Sequence, residues 1–310
     1  MILIDKITDQ DLNEKSIEMI NPRMRYGARD ILIRNDGKIA VFNKSKKNEY
    51  KLPGGGIEEN ENPKDAFKRE VLEETGCTVD IIEELGTIEE YKSQDNFKQI
   101  SYVFVGKVIE DTKNLHLTQK EQEEGAILTW QYPFEALDLI MNSYDNLVAS
   151  KYESVYHTKF IVLRDSRILQ YYLKKNMFET FKFLKENTQV NYLSTINNGK
   201  PSCRPFGDPI MFDNKIYVIT NKQKNVSKQI ANNNNVCIVA YDEENWIRIN
   251  CALIDDSNNI AAKQAVINEF DWAIEAGYTL DNPNFQILYM DNVNATIYNE
   301  DEDVISIHQF

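Results

Sequence analysis

Residues 55–77 read GGIEENENPKDAFKREVLEETGC, a stretch in which Gly55 is followed after five residues by Glu61 and then, after seven more, by Arg69-Glu70-Val71-Leu72-Glu73-Glu74-Thr75-Gly76. On a helix of 3.6 residues per turn, Glu70, Glu73 and Glu74 share an arc of roughly 100°. Three like charges so placed repel one another. A hard divalent cation among them relieves that repulsion, and Mg²⁺ prefers oxygen ligands of this kind while keeping waters and substrate phosphates in its shell. The competing reading, a solvated acidic helix face, would satisfy an arbitrary E-x-x-E-E.

The elements that must hold these carboxylates are legible around them. Residues 63–75 suit a helix, because Pro63 fits a first turn, Ala66, Phe67, Val71 and Leu72 supply apolar faces, and Gly76 suits the position beyond its end. Upstream, the basic cluster Arg23-Met24-Arg25-Tyr26-Gly27-Ala28-Arg29 leads into an expected strand over 30–34. Asn35-Asp36-Gly37-Lys38 is a hairpin signal, and a strand over 39–43 follows. Arg23, Arg25 and Arg29 are candidates to hold substrate phosphates, with plain surface solubilisation as the alternative. Tyr50-Lys51-Leu52-Pro53-Gly54-Gly55-Gly56 carries the chain to the acidic helix through glycines that permit close approach of a ligand. Downstream, strands are expected over 79–90 and 99–109, then an acidic loop over 118–125 and helices over 133–142 and 159–172.

The stretch resembles the signature box of the Nudix hydrolases at every position, with Cys77 standing where an aliphatic residue is usual, and the Leu52-Pro53-Gly54-Gly55-Gly56 run resembles the lead-in common in that family. The resemblance implies an α/β/α sandwich over residues 1–173. It also implies that Glu70, Glu73 and Glu74 bind Mg²⁺ or Mn²⁺ and that Arg69 orients the Glu70 carboxylate. Such enzymes often draw a further catalytic base or ligand from the region of the acidic loop. Glu121, Glu123 and Glu124 are the candidates, spacing does not separate them, and Glu124, beside Gly125, is the choice carried forward.

With 310 residues the chain exceeds the usual single-domain size, so two domains are expected. A net charge of −14 argues against passive attraction to nucleic-acid backbones or anionic membranes, so a diphosphate would be admitted by metal and local basic groups. The four cysteines, Cys77, Cys203, Cys237 and Cys251, show no C-x-x-C spacing and read as reduced thiols. The first residues carry neither a basic leader nor a long apolar run, from which a soluble cytoplasmic protein is expected.

After a boundary at 174–176 the pattern changes to a helix over 177–187 and then short strands joined by tight turns, which suggests an antiparallel barrel with helices at its edges. Residues 177–310 resemble the pyridoxamine-phosphate-oxidase-like, FMN-binding split barrels. That resemblance rests on Gly199-Lys200-Pro201-Ser202-Cys203-Arg204-Pro205-Phe206-Gly207, Lys224-Asn225-Val226-Ser227-Lys228-Gln229-Ile230 and Trp246-Ile247-Arg248-Ile249. It implies a homodimer and an FMN phosphate held at Arg204, Thr220, Asn221 and Lys224, a polar set suited to charge-assisted bonds. The alternative is that Arg204 and Lys224 are ordinary rim charges.

The whole is therefore expected to be an α+β protein, a metal-dependent pyrophosphohydrolase acting on a nucleoside diphosphate linked to another moiety. The second reading is an FMN-binding oxidoreductase or redox sensor in which the Nudix half is accessory. A catalytically dead scaffold is disfavoured, since every ligand position holds an acid.

Overall fold

In the computed structural model, which describes residues 1–187 and 190–310, the acidic helix forms over Pro63–Thr75 (α1). The Asn62 side chain accepts the Lys64 and Asp65 amides at 3.0 Å each, satisfying two of the orphan donors of the first turn. Gly76 ends the helix at φ 70°, and its amide returns to Leu72 O at 3.0 Å. A side chain there would be strained and would meet the Asn114 backbone nitrogen at 2.7 Å.

The chain divides into two compact units, Met1–Tyr172 and Leu173–Phe310. The strands of the first are β1 (Leu3–Thr8), β2 (Arg23–Ile33), β3 (Ile39–Lys44), β4 (Glu49–Lys51), β5 (Cys77–Lys92), β6 (Phe97–Asp111) and β7 (Ala126–Gln131). Among the described residues they make one sheet in the order β1-β5-β6-β2-β3-β4, with β7 on β3. The β1/β5 and β2/β6 pairs are parallel and the others antiparallel, so the sheet is mixed. Ala66, Phe67 and Val71 of α1 are fully buried in a cluster with Ala28, Leu32 and Phe104, Phe67 and Phe104 standing 5.3 Å apart. That apolar stripe anchors the helix, and Glu74, seven residues after Phe67, is buried on the same side of it. Short helices α2 (Gln119–Glu123) and α3 (Pro133–Ser143) follow β6 and β7 respectively.

Basic residues 23–29, read as a cluster leading into a strand, are themselves part of β2. The boundary expected at 174–176 falls inside α4, which runs over Val155–Lys182, close to the division of the two units after Tyr172. Lysines are good helix formers, and Asn176, which reads as a breaker, is buried with its amide directed to Gln309 O at 3.4 Å.

The second unit comprises β8 (Asn191–Asn197), β9 (Lys200–Phe206), β10 (Ile210–Phe212), β11 (Lys215–Asn221), α5 (Asn225–Asn232), β12 (Asn235–Tyr241), β13 (Asn245–Asp255), α6 (Ile260–Glu269), β14 (Phe285–Asn299) and β15 (Val304–Gln309). Its strands pair in the order β10-β11-β14-β13-β12-β8-β9, with β15 on β14, and every pair is antiparallel. Ala262, Val266 and Phe270 pack over Tyr217, Phe285 and Ile287. The fold is thus mixed α+β, as the sequence predicts. Helix α6 ends at Glu269, and β15 closes the unit by pairing with β14. Among the described residues no helix is long and apolar enough to cross a membrane.

Candidate active site

The glycine run after β4 lies along β2. Ala28 N donates to Gly55 O at 3.1 Å, Asp30 N to Pro53 O at 3.2 Å and Ile57 N to Tyr26 O at 3.1 Å. This pairing demands residues without side chains. A Cβ on Gly27 would fall 2.8 Å from Gly55 O, one on Gly54, at φ 121°, would fall 2.4 Å from Ala28 O, and one on Gly55 would fall 2.2 Å from Glu70 Oε1. The bare backbone of Gly55 therefore forms the cradle in which the Glu70 carboxylate rests.

Arg69 organises the acids beside it. Its Nε and Nη2 donate to the two oxygens of Glu61 at 2.8 and 2.9 Å, its Nη1 to Glu70 at 2.9 Å and Glu73 at 3.1 Å, and Nη2 also to Gly56 O at 2.9 Å. The planar guanidinium thus bridges the loop to the helix, a fork that lysine could not reproduce. Glu73, 48% exposed, sits at the rim of this cluster.

Glu74 points inward and is only 4% exposed. It accepts Gly54 N at 2.6 Å and Lys51 Nζ at 3.4 Å. Burial drives its carboxyl up to about 7, with Lys51 pulling against that rise and Glu121 pushing with it. Glu121 is raised by burial too, but its bond with Glu74, the Lys51 charge and the Thr118 amide bring it below the usual carboxylate range. Thr118 donates to Glu121 from its amide at 2.9 Å and its hydroxyl at 2.8 Å, a capping box at the start of α2 that aims the side chain.

Glu70, Glu74 and Glu121 line a cavity of about 460 Å³, within the range of small-molecule sites. Among the described residues no three acidic, histidine or cysteine side chains already converge as a cage. The donor set is nonetheless all oxygen, on one wall and with a bare-backbone cradle, which fits a hard cation that keeps several waters. Basic side chains outnumber acidic ones along the lining. Arg23, Arg25 and Arg29 all reach it, alternate positions on one face of β2 with Gly27 between them.

Glu124 does not line this cavity. It is buried, bound to Lys44 Nζ at 2.8 Å and to the Ser150 hydroxyl at 2.6 Å, and lines a smaller recess with Lys46 and Tyr152. Exposed Glu123 binds Gln119 at 2.8 Å and the Tyr152 hydroxyl at 2.6 Å. Of the three loop acids, Glu121 is the one brought to Glu74, and the signal for it was Thr118 three residues ahead, which turns its side chain back over the helix start. Lys51, Lys92, Gln99, His157 and Arg164 also line the cavity and were not singled out. Residues 157, 161 and 164 follow a helical face, a spacing open to reading.

In the second unit, Arg204 on β9 donates to Thr195 Oγ1 at 2.7 Å, Ser202 Oγ at 2.6 Å, Gln229 Oε1 at 2.8 Å and Leu193 O at 3.2 Å. Burial holds its guanidinium below the ordinary value. Thr220 on β11 is 1% exposed and its hydroxyl lacks a partner. Asn221 Oδ1 accepts Gln223 N at 2.9 Å, and exposed Lys224 caps the start of α5. Gln229 links Arg204 to α5, while Thr220 and Lys224 make no hydrogen bond or ion pair to Arg204 among the described residues.

A carboxylate-bearing helix, an arginine tying its acids together and a glycine loop threaded along a strand thus meet at one cavity. Residues 24–152, within the first unit, match the NUDIX domain family. A MutT-like protein of Streptomyces ambofaciens is 36% identical over 56 residues, which is 18% of this chain and 36% of that protein's length. Among solved structures, a NimC/NimA family protein of Clostridium acetobutylicum is 24% identical, with 45% of this chain and 95% of that one covered at a TM-score of 0.42. A MutT protein of Methanosarcina mazei is 21% identical, with 48% and 96% covered at 0.32. A pyridoxamine 5′-phosphate oxidase, so described, of Listeria innocua is 13% identical, with 44% and 98% covered at 0.31.

Proposed function

We propose that the first unit hydrolyses a nucleotide at a diphosphate linkage, with a divalent cation held by Glu70, Glu73 and Glu74. The observation that carries this reading is the burial of Glu74 against Glu121 in one cavity with Glu70, below a wall of arginines and lysines. When bound, the cation neutralises the diphosphate and acidifies a water. The protein's own part is then positional. Arg69 holds the Glu70 carboxylate against the Gly55 backbone, Gly54 N and Lys51 fix Glu74, and Thr118 aims Glu121, the acid available to take a proton from the attacking water. Arg25 and Lys51 lie where they can meet phosphoryl oxygens. Catalysis by Glu121 in place of Glu124 is part of this proposal. A phosphate-release screen over nucleoside triphosphates, dinucleotides and nucleotide sugars, run with Mg²⁺, with Mn²⁺ and with chelator, tests it. Metal-dependent turnover of one class is expected, and no turnover of any class would contradict it.

A flavin site in the second unit is the accompanying proposal, supported by the unpartnered buried Thr220 hydroxyl and by an Arg204 whose partners are all neutral. Flavin absorption bands in the purified protein are expected, together with a homodimer by light scattering. A colourless protein that takes up no added FMN would remove the proposal.

A further inference from the structure

Two donors fix Glu74, the Lys51 ammonium and the Gly54 amide, and between these residues stand only Leu52 and Pro53. Proline carries no N–H, so the amide of fully buried Leu52 is the one backbone donor that must find a partner there. It donates to Asp165 Oδ2 at 3.0 Å, across 113 residues of chain. The Leu52 and Gly54 amides are therefore taken by buried carboxylates from two different helices, Asp165 of α4 and Glu74 of α1. Beyond them the loop is held to β2, with Asp30 N on Pro53 O at 3.2 Å and with Ala28 N and Arg29 Nη1 both on Gly55 O at 3.1 Å.

Asp165 is itself held firmly. Phe160, Ile168 and Leu169 of the same helix are fully buried, as is Asp165. Its Oδ1 accepts Arg164 Nε at 2.7 Å, Arg164 Nη1 lies 3.4 Å from Glu90 of β5, and Glu90 lies 3.0 Å from Lys92. This chain of alternating charge compensates the buried carboxylate and leaves its second oxygen for the loop. A charged acceptor makes a stronger bond to an amide than a neutral one, at a place the arginine fixes. Arg164 lines the cavity, whereas Asp165 turns its carboxylate to the loop, and both lie beyond residues 24–152 that match the NUDIX family.

We infer that Asp165 is a positioning residue of the candidate active site. By holding the Leu52 amide it sets Lys51 and Gly54 N on either side, and through them the direction in which the Glu74 carboxylate meets the cation. The hold on the loop stands on the geometry above, whereas its consequence for the cation rests on the hydrolase reading. A shift at Leu52 passes to Gly54 through a single proline whose φ is fixed, so it reaches Glu74 undamped.

Hydrogen exchange of the full chain, read on peptides spanning 49–57 relative to peptides of β6, tests the hold. Asp165→Ala is expected to speed relative exchange about tenfold or more. Asp165→Asn keeps an oxygen for the amide but loses the charge and sets an amino group against Arg164; about threefold is expected, and this variant stands in where the alanine one does not fold. Ile7→Ala controls for destabilisation alone, since Ile7 is fully buried on β1, at the opposite end of the sheet from β4, and it should leave the relative exchange at 49–57 unchanged. Calorimetric titration of the same proteins with Mn²⁺ alone reads the consequence, with binding about tenfold weaker expected for Asp165→Ala and wild-type binding for Ile7→Ala. Wild-type exchange at 49–57 in both Asp165 variants, or equal relative loosening in Ile7→Ala, overturns the hold. A loosened loop with wild-type Mn²⁺ affinity overturns the positioning of Glu74. A wild type that binds no Mn²⁺ contradicts the hydrolase reading instead, and the exchange comparison still decides the hold.

Discussion

Two arginines on two strands, Arg29 in the first unit and Arg204 in the second, are both held by neutral acceptors, yet their surroundings differ. Arg29 faces a cavity and keeps a free donor, whereas the two Nη groups of Arg204 are shared among a carbonyl, two hydroxyls and the Gln229 amide oxygen. In the first, burial pulls the guanidinium down to about 10, and Asp165 and Glu90 act on the charge from farther off. In the second the Nη donors are already engaged but by neutral groups alone, so a flavin phosphate would add the counter-charge while competing with bonds already made. The same contrast separates the acids. Glu74 and Glu121 meet in the lining of a cavity, while Glu124, three residues along, is satisfied by Lys44 and Ser150.

Substitutions can break or sharpen that contrast. The largest effect is expected from Gly55→Ala, whose methyl would overlap the Glu70 carboxylate at 2.2 Å. Turnover should fall about a hundredfold or more as the acid is displaced, and retention of wild-type turnover would show that Glu70 need not rest on this loop. Next, Glu121→Gln should reduce kcat on the order of a hundredfold with little change in stability. Glu124→Gln should do the reverse, leaving kcat within a few-fold while lowering unfolding free energy by about 3 kcal/mol, because it leaves buried Lys44 without its partner. Denaturant titration beside steady-state kinetics reads both, and an exchange of the two outcomes would restore Glu124 as the base.

Smaller still, Arg204→Ala should leave hydrolysis unchanged and cost about 1–3 kcal/mol, by orphaning Gln229 and Thr195. Loss of bound flavin in the same variant would assign the phosphate contact. The smallest effect is a pH dependence. The bond to His308, aided by Lys175, holds the Glu179 carboxyl down at about 2. Being depressed below its unfolded value of 4.5, the group contributes stability that is present above that value and lost as pH falls through about 2. Glu179→Gln should flatten the acid limb of the stability curve, which thermal melts between pH 2 and pH 6 would detect.

What could be read in the sequence was what local spacing encodes. The helix over Pro63–Thr75, its proline start and glycine stop, and the hairpin at Asp36-Gly37 follow from backbone preferences of single residues, and the structure places them where those preferences put them. The grouping of Glu70 and Glu73 around Arg69 follows from helical periodicity. Less was legible where long-range packing decides. Glu121 and Glu124 lie in one short loop, and their separation depends on Lys44 in β3 and Ser150 after α3, neither near in sequence. Lys92 and Arg164 meet only through Glu90, which β5 and α4 bring together across more than seventy residues. The continuity of α4 through Asn176 depends on a buried carbonyl far along the chain, that of Gln309.

The most direct test of the account is metal-dependent turnover by Glu74→Gln, measured beside its far-ultraviolet circular dichroism. The account predicts an unchanged spectrum and a fall in kcat/KM of roughly a hundredfold or more, since the acid that joins the helix to Gly54, Lys51 and Glu121 is lost. A folded variant turning over within threefold of the wild type would contradict it.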